Sequence, residues 1–378
     1  MRQPDSAAHS SMSAFIAEAA QAGRDAAAWQ SIDLIRETDW IITVPRAARE
    51  HLAAVVRAAL RPGQPLFDYR RSDFPFTDEA LTPIGQAVRE AQHGRGIALV
   101  RGLPRESLDA EAFELLTWAI GLHTGVARPQ DRHTRYINAV RDAGVDYRSP
   151  TGRGYSSSAE LDFHVDGGDI VMLSCFNAAA SGGESLCASA VSAWRQMIRE
   201  RPDLAQTLEQ PVAYSRQGEE PPGEAPFFMT PVIGRTETDL FCRWNRNRIR
   251  NGQAIAGAPA CTAQQLEAME YFDSILRRPE FMFRMFLEPG DLQILSNFST
   301  LHSRTAFVDH PEPERKRLLY RLWLTPPDGI RLPPSWTVSW GCADPGVVRG
   351  GNPGHHHDER CKLFEARQAA ELGMRPAA

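Results

Sequence analysis

The chain carries two histidines and one aspartate in a pattern that constrains its fold and chemistry more than any other feature. His164 and Asp166 lie in the segment 163–168, which reads FHVDGG, and His302 follows far downstream. Two imidazoles and one carboxylate on a single face are the ligands that a non-haem iron(II) centre needs, because they hold the ion and leave three positions open. The pattern therefore predicts a catalytic metal site at these three residues.

A second ligand of such a centre, 2-oxoglutarate, needs a basic anchor. Its distal carboxylate is best held by a guanidinium, which offers a rigid two-pronged donor that lysine lacks. Arg317 lies 15 residues beyond His302, on the run 316–324, whose apolar and β-prone residues predict a buried strand. Arg317 is therefore the predicted anchor.

Several stretches occur in the order found in the taurine dioxygenase-like (TauD/TfdA) family of Fe(II)/2-oxoglutarate oxygenases. The chain resembles that family over residues 90–330, and the stretches that carry the resemblance are 94–102, 163–166, 181–185, 289–291, His302, and Arg317 with Arg321. The resemblance implies an α+β fold whose core is a double-stranded β-helix, or jelly roll, with covering helices. It also implies an enzyme that uses Fe(II), 2-oxoglutarate and dioxygen.

The resemblance assigns roles to individual residues as well. The iron ligands that it implies are His164, Asp166 and His302. Arg317 would bind the C5 carboxylate of 2-oxoglutarate, and Ser185 matches a position, commonly threonine, whose hydroxyl supports that carboxylate. Arg321 matches an arginine that meets an anionic substrate group in the taurine enzyme.

The reaction that the resemblance implies is oxidation of an unactivated C–H bond, with release of succinate and carbon dioxide. Halogenating relatives replace the metal-binding carboxylate with a small residue, so the presence of Asp166 favours hydroxylation. Desaturation, ring closure and hydroxylation-triggered cleavage use the same ligands and stay open as alternatives.

The residues before His164 suggest a substrate. If residues 160–164 are extended, Glu160 and Asp162 share the metal-facing side with His164, and Phe163 flanks the site from the other side. An acidic approach suits an amine or guanidine, and Arg321 would meet an anion, so we predict a small amino-acid-like substrate. The alternative is that Glu160 or Asp162 pairs with an internal arginine. Sulfonates such as taurine and aryloxy acids remain open as substrates.

Other histidines and other protein classes compete with this interpretation. His310 lies in a loop between prolines, so His302 is the preferred ligand. The adjacent residues His355, His356 and His357 do not build a facial site. A non-catalytic jelly-roll metal-binding protein is one alternative. A cupin-type metalloenzyme is another, although cupins usually cluster more histidines around a glutamate.

Composition limits the partners and the compartment. A net charge of −5 and a pI near 6.1 give no basic field for nucleic acid, and the arginine-rich run 243–250 is interpreted mainly as solvated surface, with a loop or substrate feature as the alternative. Six cysteines without C-x-x-C spacing favour reduced thiols in a cytoplasm. No apolar stretch is long enough for a membrane span, and the start lacks a secretory signal. The predicted partner is a small-molecule substrate, and a homo-oligomer stays open.

The predicted organisation is one elaborated domain at residues 13–345, preceded by a mobile terminus at 1–12 and followed by a C-terminal extension at 346–378. Within it we expect a helical layer at 13–93 and the jelly-roll core at 94–330. Periodicity predicts helices at 13–22, 46–60, 83–92, 108–121, 192–208 and 262–278. Strands are predicted at 96–100, 161–164, 170–176, 184–188, 212–215, 240–244, 282–287, 292–296 and 318–324.

Overall fold

The computed structural model describes residues 6–146 and 154–377. These ranges contain eleven α-helices, which surround the strands on two sides. They are α1 (Ser6–Ala19), α2 (Ser31–Arg36), α3 (Arg46–Ala59), α4 (Asp78–His93), α5 (Ala110–Thr124), α6 (Ala190–Glu200), α7 (Pro202–Thr207), α8 (Arg246–Gln253), α9 (Ala263–Leu276), α10 (Thr337–Trp340) and α11 (Glu359–Glu371).

The same ranges contain sixteen strands, most of them short. They are β1 (Ile41–Thr43), β2 (Ile97–Arg101), β3 (Val126–Arg128), β4 (Ile137–Val140), β5 (Ile170–Asn177), β6 (Ser181–Gly182), β7 (Ser185–Ser189), β8 (Pro211–Ser215), β9 (Phe227–Pro231), β10 (Ile233–Arg235), β11 (Leu240–Cys242), β12 (Phe283–Met285), β13 (Leu292–Ser296), β14 (Thr300–Arg304), β15 (Phe307–Val308) and β16 (Leu318–Thr325).

Two facing sheets form the centre of the fold. The larger sheet has the order β1-β2-β13-β5-β16-β3, with β4 also paired to β16, and its neighbours are antiparallel except β1 and β2. The smaller sheet has the order β12-β7-β14 and is antiparallel throughout. This is the double-stranded β-helix within an α+β fold that the sequence predicts.

Side-chain alternation along the strands divides the core into layers. In β2, Ala98 and Val100 pack towards α3, α4 and α5, whereas Ile97 and Leu99 pack into the space between the two sheets. On the far side of the smaller sheet, Leu301 packs with residues of α6 and α9. The space between the sheets is therefore lined by alternate residues of both, and it opens at one end into a cavity.

The C-terminal residues pack on this core. Gly351 donates a backbone hydrogen bond of 2.7 Å to the carbonyl of Gly167, next to the predicted metal ligands. In α11 the ring of Phe364 stacks on Trp118 of α5 at 5.4 Å between centroids. The segment 346–378, predicted as an extension, thus contributes to both the core and the cavity, while its treatment as a separate unit stays a prediction.

Most predicted elements lie within a few residues of observed ones, and two differ. Helix α1 begins at Ser6 rather than Ser13. The strand predicted at 161–164 is wrong. Leu161 and His164 donate backbone hydrogen bonds to β14, but Val165 donates to Trp244 instead, so the segment crosses between two neighbours without forming a ladder.

Candidate active site

The three predicted metal ligands lie together at the open end of the two sheets. One ligand atom from each of His164, Asp166 and His302 lies within 4.8 Å of the others. His302 is in β14, and its backbone exchanges two hydrogen bonds of 2.9 Å with His164, which places the two imidazoles side by side. The Nε2 atom of His302 lies 3.7 Å from Oδ2 of Asp166.

The protonation of these groups suits a divalent metal. Nδ1 of His164 lies 2.9 Å from the carbonyl oxygen of Asp162. When Nδ1 donates its proton to that carbonyl, Nε2 is left free to bind a metal. Burial lowers the pKa of His164 to about 4, so the imidazole is neutral at neutral pH. Burial alone would raise the pKa of Asp166, but Arg321 and His302 hold it well below its usual range. The donor set of two neutral imidazoles and one carboxylate therefore fits Fe(II).

The loop that follows Asp166 is held from two sides. The side chain of Asn297 accepts a hydrogen bond of 3.0 Å from the Asp166 amide and donates one of 2.9 Å to the Gly168 carbonyl. A Cβ atom at Gly167 or Gly168 would lie 2.8 or 2.9 Å from Trp323, so only glycine lets the loop approach β16 this closely. Asn297 and Trp323 thus orient the metal ligand.

The inner face of β16 forms the opposite wall, because a strand presents alternate residues to one side. The side chains on this face are Leu319, Arg321 and Trp323, and Arg317, one residue before β16, also lines the cavity. Arg317 is 6 % exposed, and its Nη1 atom is buried without a hydrogen-bond partner among the described residues. Burial lowers its pKa to about 10, which leaves it charged at neutral pH. A buried, unpaired guanidinium at this position is suited to an incoming carboxylate.

The two other predicted anion contacts line the same cavity. The hydroxyl of Ser185, in β7, exchanges hydrogen bonds with the side-chain amide of Gln293 at 3.0 and 3.2 Å. Arg321 donates to Gln130 at 2.8 Å, and its Nη1 atom lies 3.3 Å from Oδ1 of Asp166. Arg321 therefore lies directly beside the predicted metal site.

The predicted acidic face of the site is wrong. The carboxylates of Glu160 and Asp162 lie 3.7 and 3.4 Å from Arg277, which follows α9, and neither side chain lines the cavity. Phe163 is fully buried among apolar side chains on the same side, with Arg277 5.9 Å above its ring. The alternation argument failed because this segment is not a strand, and the pairing with an internal arginine is the alternative that holds.

Sequence reasoning preferred solvated surface for the run 243–250, part of which forms a basic wall of the cavity. Arg243 and Arg248 belong to the run interpreted as solvated surface, but both line the cavity, and Arg248 is buried. The signal that could have found them is alternation: Trp244 packs in the core, so Arg243 and Asn245 on either side of it face the opposite way. Arg246 pairs with Asp273 and Arg250 is exposed, so the solvated interpretation holds only for part of the run.

The rival histidines lie elsewhere. Among the described residues, the candidate metal-binding cluster contains neither His310 nor the run 355–357. His357 instead lies 3.1 Å from Glu365. That carboxylate also accepts from Tyr136 and pairs with Arg128 at 2.7 Å, so this C-terminal histidine belongs to a buried polar network.

The cavity is partly open to solvent and brings the three predicted metal ligands together with Ser185 and Arg317. The described lining residues include five arginines and one carboxylate, Asp166.

A family model described as "Taurine catabolism dioxygenase TauD, TfdA family" matches residues 59–323 of this chain. The chain belongs to this family. It is an Fe(II)/2-oxoglutarate-dependent dioxygenase, and its cofactor and cosubstrates are Fe(II), 2-oxoglutarate and dioxygen. Membership of this family argues against the two alternatives left open by the sequence, a non-catalytic jelly-roll protein and a cupin.

Two curated relatives and one solved structure illustrate the similarity. FR-33289 synthase from Streptomyces rubellomurinus is 31% identical over 318 residues, covering 83% of this chain and 93% of that protein. Uridine-5'-phosphate dioxygenase from Amycolatopsis sp. is 28% identical over 191 residues, covering 46% and 67%. Asparagine oxygenase, crystallised with Fe(II), 2S,3S-3-hydroxyasparagine and succinate, has a TM-score of 0.52 at 19% identity, covering 75% and 93%. The last likeness concerns the fold alone.

The described part of this TauD/TfdA family chain has no helix that is both long and apolar enough to cross a membrane. All six cysteines are free thiols, four of them buried.

Proposed function

We propose that this dioxygenase hydroxylates a C–H bond of a small anionic substrate, with Fe(II) held by His164, Asp166 and His302. The observation that carries the proposal is the convergence of these three side chains with Arg317 in one cavity. Fe(II), 2-oxoglutarate and dioxygen supply the oxidising power that breaks the C–H bond, with release of succinate and carbon dioxide. The protein supplies binding, orientation and charge.

The residues along the β16 wall have different binding roles. Arg317 holds the distal carboxylate of 2-oxoglutarate, since its Nη1 atom is buried and lacks a partner among the described residues. Ser185 adds a hydroxyl donor from β7, on the same side of the cavity. Arg321, beside Asp166, faces the substrate side and contacts its anionic group.

Charge supports an anionic substrate. The described lining residues carry five guanidinium groups, from Arg243, Arg248, Arg304, Arg317 and Arg321. Arg321 lies beside Asp166 and Arg248 pairs with Glu219, whereas Arg243 has no carboxylate ion-pair partner among the described residues. Arginines therefore outnumber the one carboxylate of the described lining, and one Fe(II) and one 2-oxoglutarate dianion cancel each other. A cationic substrate would add charge to a basic, partly dry cavity, which is unfavourable.

The amino-acid-like substrate with a basic group loses its basis, because the acidic residues expected to meet the cation pair with Arg277. The anionic alternatives, sulfonates and aryloxy acids, gain support from the arginines. One relative is named for a phosphate-bearing substrate, uridine-5'-phosphate, which is compatible with an anionic ligand in this family.

The test is a substrate panel scored by succinate formation with Fe(II), ascorbate and 2-oxoglutarate. The panel contains alkyl sulfonates, phosphonates, phosphate esters and aryloxyacetates, with arginine, lysine and asparagine as the opposing set. We expect coupled succinate release with members of the anionic set. Coupling only with basic or neutral amino acids would contradict the proposed substrate class, and no 2-oxoglutarate turnover with any compound would contradict the proposed reaction.

A further inference from the structure

Arg243 differs from the other arginines of the cavity in how its side chain is held. Its guanidinium carbon lies 4.4 Å from the ring centroid of Trp340, 4.9 Å from that of Phe228 and 5.8 Å from that of Tyr214. These three aromatic residues come from α10, β9 and β8 and are themselves buried. Three separate segments of the fold thus meet to enclose one cation.

This aromatic cage holds the guanidinium without neutralising it. No carboxylate of the described residues forms an ion pair with Arg243, and its Nε atom is buried with no hydrogen-bond partner among them. By contrast, Arg248 pairs with Glu219 at 2.8 Å and Arg321 lies 3.3 Å from Asp166. Burial lowers the pKa of Arg243 to about 9, so the group is still charged at neutral pH.

The position of Arg243 relative to the metal ligands follows from the backbone. The carbonyl of the next residue, Trp244, accepts a hydrogen bond of 2.8 Å from Val165, which lies between His164 and Asp166. The Arg243 side chain lines the cavity that these ligands open into. A substrate whose C–H bond lies near the metal can therefore reach Arg243 with its other end.

We infer that Arg243 binds a doubly charged tetrahedral oxyanion on the substrate, a phosphate ester or a phosphonate. The inference rests on the proposed function, because it names the anionic group of that substrate. A tetrahedral dianion offers three oxygens that accept from donors in different directions, here Arg243 and a second arginine of the cavity, Arg321. Arg243 has no carboxylate ion-pair partner among the described residues and lies near a further cation, Arg248, which favours a dianion over the single charge of a sulfonate or carboxylate.

The experiment measures binding, so it does not depend on turnover. Methylphosphonate, methyl phosphate, methanesulfonate and acetate are titrated by calorimetry into the anaerobic Fe(II)-loaded protein with saturating 2-oxoglutarate, at a mildly alkaline pH where the first two are dianions. The titration is repeated with metal-free protein. We expect the better of the two dianions to bind about tenfold or more tightly than methanesulfonate, which has the same shape and one charge less.

Three variants locate the bound anion. Arg243→Met should weaken the dianion by about tenfold or more, since it removes a charge-assisted donor. Arg246→Gln is the matched control from the same segment, because Arg246 pairs outside the cavity with Asp273, and it should bind as the wild type does. Arg317→Leu should still bind the dianion but should no longer bind 2-oxoglutarate. Equal affinity in Arg243→Met, or loss in Arg317→Leu instead, would overturn the assignment, and so would equal binding of methanesulfonate.

A stability measurement separates binding from packing. Arg243→Met removes a buried charge that has no carboxylate partner, so without ligand it should melt at or above the wild-type temperature. A clearly lower melting temperature would mean that the cage needs the guanidinium for packing, against the inference. If Arg243→Met does not fold, Arg243→Lys replaces it. Lysine keeps the charge but loses the two-pronged donor, so about tenfold weaker binding is expected, and unchanged binding would overturn the proposal.

The two proposals fail independently. Dianion binding that depends on Arg243, without succinate formation from any member of the anionic set, would contradict the proposed function alone. Succinate formation from a sulfonate, with no effect of Arg243→Met on anion binding, would contradict this inference alone. The tighter of methyl phosphate and methylphosphonate identifies whether the tetrahedral group is an ester or is bonded to carbon.

Discussion

His164 and His302 exchange two backbone hydrogen bonds of 2.9 Å, and this pairing sets their imidazole rings 4.4 Å apart between centroids. The ligands are thus positioned by main-chain contacts between β14 and the preceding crossing segment, with Asp166 two residues further on. Preorganisation of this kind means that a single side-chain substitution removes a ligand without moving the others. The predictions below use that property.

Arg317→Leu should raise the Michaelis constant for 2-oxoglutarate far more than that for the prime substrate. The variant leaves the distal carboxylate without its two-pronged donor, at a cost of about 2–5 kcal/mol for a desolvated charge pair. Ser185→Ala should have a smaller effect, because it removes a single hydrogen bond to the carboxylate, worth about 1.5–3 kcal/mol, and leaves the guanidinium in place. Steady-state kinetics on both variants measure this. An unchanged constant in Arg317→Leu would remove this residue from the cosubstrate site.

Glu160→Gln and Asp162→Asn should leave the kinetic constants for both substrates within about twofold of the wild type. Their carboxylates pair with Arg277 outside the cavity, and Glu160 is exposed, so surface ion pairs of about 0–1 kcal/mol are all that is lost. The same assays measure these variants. A large rise in the Michaelis constant of the prime substrate would restore the acidic face to the site.

The buried pair Asp169–Arg349 should stabilise the loop that follows the metal ligands. Arg349 Nη2 lies 2.7 Å from Oδ2 of Asp169, and both side chains are almost fully buried. Removing one partner leaves an uncompensated charge, so Arg349→Met should lower the free energy of unfolding by about 3–5 kcal/mol. Denaturant unfolding measures it. In the double variant with Asp169→Leu, the free energy of unfolding should fall by less than the sum of the losses in the two single variants. Strict additivity of these losses would argue against coupling between the two residues.

His123 should make the protein less stable in mild acid. Burial lowers its pKa from 6.5 to about 4, so between these values the unfolded chain binds more protons than the folded one. Stability is therefore lost as the pH falls from about 6.5 towards 4, by up to about 3 kcal/mol from this group. The measurement is the free energy of unfolding of His123→Gln and of the wild type, each at pH 7 and at pH 4. The variant should lose less stability than the wild type, and equal losses would argue against this account.

The sequence predicted the metal ligands and Arg317 because their spacing carries the chemistry. Arg317, just before β16, and Arg321 within it line the same cavity since an extended chain repeats every two residues, and glycines after Asp166 are visible without a structure. The helices with clear apolar periodicity, such as α3 and α4, were also predictable. Pairing of short strands such as β3 depends on neighbours that are distant in sequence, which local patterns do not report.

The substrate side of the cavity was not predictable from local patterns. Glu160 faces away because Arg277 at the end of α9 lies beside it, and Arg243 faces inward because Trp340 and Phe228 enclose it. Both outcomes depend on contacts between distant segments. A charged side chain has no periodic signature that says which partner it will meet.

The most direct test of the central claim, that Fe(II) and 2-oxoglutarate bind at His164, Asp166 and His302, is anaerobic absorption spectroscopy of the purified protein. Adding Fe(II) and 2-oxoglutarate should produce a weak metal-to-ligand charge-transfer band that saturates at about one iron per chain. The band should be absent in His302→Ala and unchanged in His310→Ala, whose imidazole lies outside the cluster. Loss of the band in His310→Ala but not in His302→Ala would contradict the ligand assignment, and no band in the wild type would contradict the site itself.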